Sequence, residues 1–174
     1  FRQLNAVFRD YRRKFKSLKV DKPQNCLKVG LVGELYTLME PFSNYYIEKE
    51  LAKNKIQISR FITVTFLLFQ KPKLRPKILL AAGRYLKYDL GADGTDSVER
   101  SRALAERGYD GIIHIKPFGC IPEINAMPVL QKISRDFRIP ILYFSFDSQT
   151  SEVGVKTRLE AFCDMLLMRK EVRT

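Results

Sequence analysis

One histidine and three cysteines are all that this 174-residue chain offers in imidazole and thiolate metal ligands, and their placement excludes most local metal chemistry. Cys26, Cys120 and Cys163 stand 94 and 43 residues apart, which matches neither a disulfide framework nor a paired-cysteine zinc site. Unpaired thiols fit a reducing compartment, so a cytoplasmic location is expected. No apolar run approaches the ~20 residues of a membrane span, and the longest, residues 61–69, holds two threonines. No membrane partner is therefore expected. A secretory signal is also missing, and Phe1 in place of an initiating methionine points to part of a longer protein. The glycines of Gly30-Leu31-Val32-Gly33-Glu34 lack the spacing and the directly following helix of a dinucleotide turn, which sets that cofactor aside.

Acidic residues are scarce in two segments. Residues 1–28 carry nine Lys/Arg against two Asp, and residues 71–87 carry six with no acid, so these two stretches account for all of the net charge of +12. Basic patches of this kind attract nucleic acid, an acidic partner or a phosphorylated ligand, or form solvated faces. Neither interleaves aromatic side chains as a base-stacking platform does, which disfavours nucleic acid.

In residues 2–19 the apolar positions Leu4, Val7, Phe8, Tyr11, Phe15 and Leu18 recur at three and four, the period of an amphipathic helix. Beyond Pro23, short apolar runs at 27–32, 56–62, 112–115 and 139–144 predict four strands. Helices are expected between them, over 44–54 with Asn44 as cap, from 63 until a Lys/Pro-rich break at 71–76, over 77–86, 97–107 and 122–137, and last over 153–172. Strands alternating with helices imply an α/β fold, a three-layer Rossmann-like or flavodoxin-like domain with a mostly parallel sheet of about four strands. The expected organisation is an N-terminal amphipathic helix and linker over 1–22 and the α/β domain over 23–174. Ligand crevices of such sheets lie beyond the carboxyl ends of the strands, which brings residues 33–44, 116–123 and 145–154 into consideration.

Within that set, Pro117-Phe118-Gly119-Cys120-Ile121-Pro122-Glu123 leads from a strand straight into a helix. A thiol at a helix N-terminus can fall from its free pKa of about 8.5 into the range ~3.5–7.5; alternatively Cys120 is a small buried hydrophobe in a tight turn. His114, inside the third strand, reads as a hydrogen-bonded structural histidine, and its place in a buried strand just before Cys120 argues against a Cys-His-Asn triad. Asp147 to Arg158 mixes carboxylates, hydroxyls and cations, with Thr150 or Ser151 available to cap the last helix and Glu152 in its first turn.

The stretches GLVGELYTLMEPFSNYYIEKEL (30–51), PFGCIPE (117–123) and DSQTSEVGVKTRLEAFCDML (147–166), in that order, resemble the 2-hydroxyacyl-CoA dehydratase D-component and benzoyl-CoA reductase superfamily, in a branch associated with CoA-enzyme activases. The resemblance implies the C-terminal domain of an oxygen-sensitive iron–sulfur protein, of dehydratase-like lyase or low-potential reductase type. Its partners would be the N-terminal half of the same protein, an ATP-dependent activase-like protein and a CoA thioester substrate. Cys120 would be one ligand of a 4Fe-4S type cluster, with the others outside this chain. Gly33, Gly119 and Thr150 would contact the cofactor, and Glu34, Glu123 and Glu152 would be the candidate acid/base groups. The turn Gly91-Ala92-Asp93-Gly94 stands where many relatives carry a histidine-containing turn, so no role carries over to that loop. The alternative function is a non-catalytic docking module that binds an activase or other acidic partner through the basic segments.

Overall fold

Four short apolar runs become four strands because each is followed by a residue or turn that ends pairing and sends the chain into a helix. The computed structural model describes residues 2–19 and 26–172. The strands are β1 (Lys28–Gly33), β2 (Gln57–Arg60), β3 (Gly111–Pro117) and β4 (Ile141–Phe146). They form one all-parallel sheet in the order β2-β1-β3-β4. The helices are α1 (Arg2–Ser17), α2 (Leu35–Met39), α3 (Ile47–Lys53), α4 (Lys71–Ala82), α5 (Gly94–Glu106), α6 (Ile121–Phe137) and α7 (Glu152–Glu171). The expected three-layer, Rossmann-like α/β architecture is the one observed. Among the described residues no helix is long and apolar enough to cross a membrane.

Alternation along β3 sorts its side chains between the two faces. Ile113 and Ile115 join Val29, Leu31, Leu51, Leu159 and Leu166 in the larger core cluster, whereas Ile112 packs with Val32 and Leu104 on the opposite face. On that opposite side Val98 of α5 meets Ala126 and Leu130 of α6. From β1 the chain crosses to β2 on one side and, later, to β3 on the other, so the topological switch point lies between β1 and β3.

Four local expectations are corrected. The Lys/Pro-rich segment 71–76 is helical rather than a break: a π-helical stretch, Phe66–Gln70, runs directly into α4. The Lys71 N–H bonds the carbonyl of Phe66, five residues back, and this wider turn accommodates Pro72, which lacks an N–H and would crowd a regular turn. α5 opens at Gly94, inside the expected glycine-rich turn, and α2 is a short helix where a loop was expected. β4 begins two residues late because Pro140 has no N–H for the ladder, and its carbonyl accepts from Ile112 instead.

α4 is fastened to the start of α5 by charge. Lys71 reaches Asp93 at 2.8 Å and Asp96 at 3.1 Å, and Arg75 reaches Asp96 at 2.9 Å. Burial pulls the Lys71 ammonium down, yet the hydrogen bond and charge of Asp93 with the charge of Asp96 hold it above its ordinary value. The Thr95 hydroxyl, 2.6 Å away, does most to lower Asp89; partial burial opposes this, while the Gly91 N–H and Arg75 add to it, and the carboxyl falls from 3.8 to about 2. Between those two values the unfolded chain binds a proton that the folded one refuses, so stability falls as pH drops through that window. The melting midpoint of Asp89→Asn is expected to vary less than that of the parent chain between pH 5 and pH ~2, with a modest difference because the Asp89 side chain is 41% exposed. Parallel curves for the two proteins would sink this assignment.

Candidate functional site

The ends of β1 and β3 meet in an unusually close contact. Gly33 has φ +135°, and a Cβ there would lie 1.8 Å from the carbonyl oxygen of Ile115. That same carbonyl accepts the Glu34 N–H at 2.9 Å, which locks the first residue after β1 to β3. The Glu34 carboxylate then turns to its own helix, accepting from the amides of Tyr36 (2.9 Å) and Thr37 (2.8 Å) and from the Thr37 hydroxyl (2.6 Å). It is the N-cap of α2, with its acceptor positions occupied by that role.

Across the switch point, β3 ends at Pro117 and the Phe118 N–H bonds the carbonyl of Phe146 at 2.9 Å. Cys120 is the N-cap residue of the 17-residue α6, with extended backbone (φ −74°, ψ 96°), and is half-buried. Of the two readings that the sequence left open for Cys120, the lowered thiol pKa is not the one found. Burial pushes the Cys120 thiol up; the backbone N–H of Glu123 pulls the other way but is outweighed once the carboxylates of Glu123, Glu34 and Asp93 add their charge. Pro122 in the first turn also removes one of the amides that would otherwise face the sulfur. The resting thiol is therefore protonated near neutral pH, and binding of a cation rather than spontaneous ionisation would displace its proton.

The candidate acid/base groups do not converge. Glu123 is fully buried (0% exposed), pointing into the interior rather than lining the crevice: His114 Nε2 lies 2.7 Å from one carboxylate oxygen, and Ser97 Oγ donates to the other at 3.0 Å. The local cause is geometric, because a residue three positions past the N-cap faces back across the first turn of α6 toward α5 and β3. The tightness of that junction is measured by Gly94, whose added Cβ would sit 2.5 Å from the Pro122 carbonyl. His114 is thus the hydrogen-bonded structural histidine that the strand position suggested. Glu152 lies on the exposed first turn of α7, paired with Lys156 at 2.7 Å. Thr150 closes the turn after β4, where its hydroxyl donates to Asp147 at 2.9 Å and accepts the Asp147 N–H at 3.0 Å, and its carbonyl takes the Tyr45 hydroxyl at 2.7 Å. Ser151, not Thr150, caps α7 through the Gly154 N–H at 3.1 Å. Gly119 has open space around it, so no close backbone approach requires a glycine there.

Asp93 is the site residue that sequence reasoning missed. One of its oxygens accepts the Leu35 N–H at 3.2 Å, and the other is bound to Lys71. The partners are 58 and 22 residues away, a separation that leaves no local signal. The same pairing means that Lys71 and Arg75 of the second basic segment are held inside the fold rather than offered to a partner.

Against an iron–sulfur cluster, the donor set fits a single ligand. Cys26 precedes β1 at the amino edge of the sheet, with its Sγ 3.9 Å from Gln57. Cys163 is buried inside α7, where burial first and the charges of Asp164 and Glu160 next push its thiol up to about 11. Among the described residues no group of three or more His, Cys, Asp and Glu is arranged to hold a metal. Cys120 alone stands at the carboxyl edge. No protein-family model matches the chain, and no curated protein matches it.

Proposed function

We propose that this chain is the α/β domain of an iron–sulfur protein related to the 2-hydroxyacyl-CoA dehydratase D-component and benzoyl-CoA reductase superfamily, and that Cys120 is its one thiolate ligand. The observation that carries this reading is the place of Cys120: of three cysteines it alone caps a long helix at the switch point of a parallel sheet. The remaining ligands come from other polypeptide, since Cys26 and Cys163 lie elsewhere in the fold. Two large apolar side chains beside the thiol, Phe118 (67% exposed) and Ile121 (66% exposed), support a covered site, because a partner seated on them would also exclude water from the sulfur. Such a cluster supplies one-electron transfer when bound. The residues of this chain hold the thiol in position: Glu34 fixes the β1 turn, and Glu123 anchors the first turn of α6 to β3 and α5.

The test is anaerobic iron and sulfide content, with visible and EPR spectra, on the native protein that carries this domain and on its Cys120→Ser variant. The variant is expected to lose the cluster signal or convert it to a lower-nuclearity species, with its circular dichroism unchanged. An unaltered spectrum and iron content in Cys120→Ser overturn the assignment.

A further inference from the structure

The two edges of the sheet differ in what they offer to another strand. β2, at one edge, has four residues, with Gln57 and Arg60 among them, so it is short and polar. β4, at the other edge, has six, Ile141-Leu142-Tyr143-Phe144-Ser145-Phe146, with no charge, proline or glycine. A hexapeptide of that composition pairs with copies of itself wherever its edge is open.

Which groups of β4 face outward follows from the ladder. The carbonyls of Pro140 and Phe146 accept from Ile112 in β3 and from Phe118 just beyond it. Backbone groups alternate in direction along a strand, so those of Ile141, Tyr143 and Ser145 point away from β3. The middle one of the three is closed. Arg158, in the second turn of α7, reaches round the edge: its Nη2 donates to the Tyr143 carbonyl at 2.7 Å, and its guanidinium lies over the Phe144 ring, 4.7 Å from the ring centre. A bond from a charged donor is stronger than the amide bond that an incoming strand would make at the same carbonyl. The Thr150 hydroxyl, 3.5 Å from the Ser145 carbonyl oxygen, is already given to Asp147 at 2.9 Å. Among the described residues Arg158 is therefore what blocks the centre of this edge.

We infer that Arg158 is an edge guard, an autoinhibitory contact that keeps β4 from adding a strand, and that the strand it keeps out is β4 of a second copy. The outward groups are self-complementary. In antiparallel pairing about a twofold axis at Tyr143, Tyr143 faces Tyr143 and Ile141 faces Ser145, so the outward N–H and C=O groups of all three residues are matched in one register. The carbonyl at that axis is the one that Arg158 occupies, so a single bond in each copy holds the pair apart.

The test compares the chain with its Arg158→Ala variant by sedimentation equilibrium and by residue-resolved amide exchange. In the parent the Ile141, Tyr143 and Ser145 amides are expected to exchange quickly, whereas those of Leu142 and Phe144, which bond β3, are protected. Arg158→Ala, a change to the best helix former at an exposed helical position, is expected to dimerise at least about tenfold more tightly than the parent and to gain protection at the three outward amides. Arg158→Met keeps an apolar stem over Phe144 but cannot donate, and the same result is expected of it, which separates the lost bond from lost packing. Ser145→Pro added to Arg158→Ala removes an outward N–H without touching the β3 ladder and is expected to restore the monomer. An Arg158→Ala chain no more associated than the parent, a dimer that survives Ser145→Pro, or an association that leaves the three amides unprotected each overturns the inference. Loss of the folded domain in both Arg158 variants overturns it too, since Arg158 would then be a support of the fold and not a guard of its edge.

Discussion

Glu123→Ala is expected to destabilise the domain by about 3–5 kcal/mol and to lower its melting midpoint by on the order of 10 °C. Glu123 is fully buried, and its two oxygens hold His114 Nε2 on β3 and Ser97 Oγ on α5. Truncation leaves both partners without water or protein to replace the bond, and it opens a cavity in the junction that Gly94 and Pro122 otherwise fill. The surroundings offer no rescue. Among the described residues His114 Nδ1, the Tyr143 hydroxyl and Ser101 Oγ are already buried without a hydrogen-bond partner, so the region is short of polar contacts rather than rich in them. Replacing His114 and Glu123 together with apolar side chains, His114→Phe with Glu123→Leu, is expected to cost less than the sum of the two single changes, because only Ser97 Oγ is then left without its partner, whereas each single change orphans the other half of the His114–Glu123 pair. Urea titration with an unchanged slope measures the difference; a loss under about 1 kcal/mol for Glu123→Ala would mean that the pair is not an anchor. The same variant is expected to leave the Cys120 thiol more accessible to an alkylating reagent, since Glu123 is what ties the first turn of α6 down.

Much of this fold can be read from local pattern, and the limits of that reading have physical causes. The apolar runs of β1 and β3 are unambiguous because a central parallel strand is buried on both faces, so nearly every position is apolar. Pro122 marks the start of α6 correctly because proline is tolerated in a first turn. Pro72 misleads for a related reason: it too lies near a helix start, but a π-helical stretch precedes it and carries the chain through without interruption. The site was less legible than the fold. That Cys120 would stand at the carboxyl edge followed from strand–loop–helix order alone, but its acidity is set first by burial and then by Glu123 and by Glu34 and Asp93, which arrive from different loops. Glu123 looked like crevice lining because its neighbours in sequence are, and only the close approach of α5 turns it into an interior group. Lys71 and Arg75 read as free positive charge because their partners lie 14 to 25 residues further along.

Gly33→Ala separates the demands of the fold from the demands of a ligand. Two independent penalties act at this position. The backbone sits at φ +135°, where an L side chain is strained whatever the space, and the new Cβ would lie 1.8 Å from the Ile115 carbonyl oxygen. The obstacle is backbone in the central strand of the sheet, so it cannot swing aside as the end of a flexible side chain could. Relief requires β1 and β3 to part by an ångström or more at their carboxyl ends, which breaks the 2.9 Å bond from the Glu34 N–H to that same carbonyl. A loss of about 4 kcal/mol or more is expected, at the upper end of single substitutions. Gly119→Ala provides the contrast: it lies next to Cys120, yet nothing stands within 4 Å of its added Cβ, and its effect on stability is expected to stay within about 0.5 kcal/mol. If both glycines were present to let a bound group approach the backbone, the two substitutions would impair binding alike and leave stability alone. The steric argument requires instead that Gly33→Ala unfold at distinctly lower urea than Gly119→Ala in the isolated chain, and similar midpoints for the two would refute it.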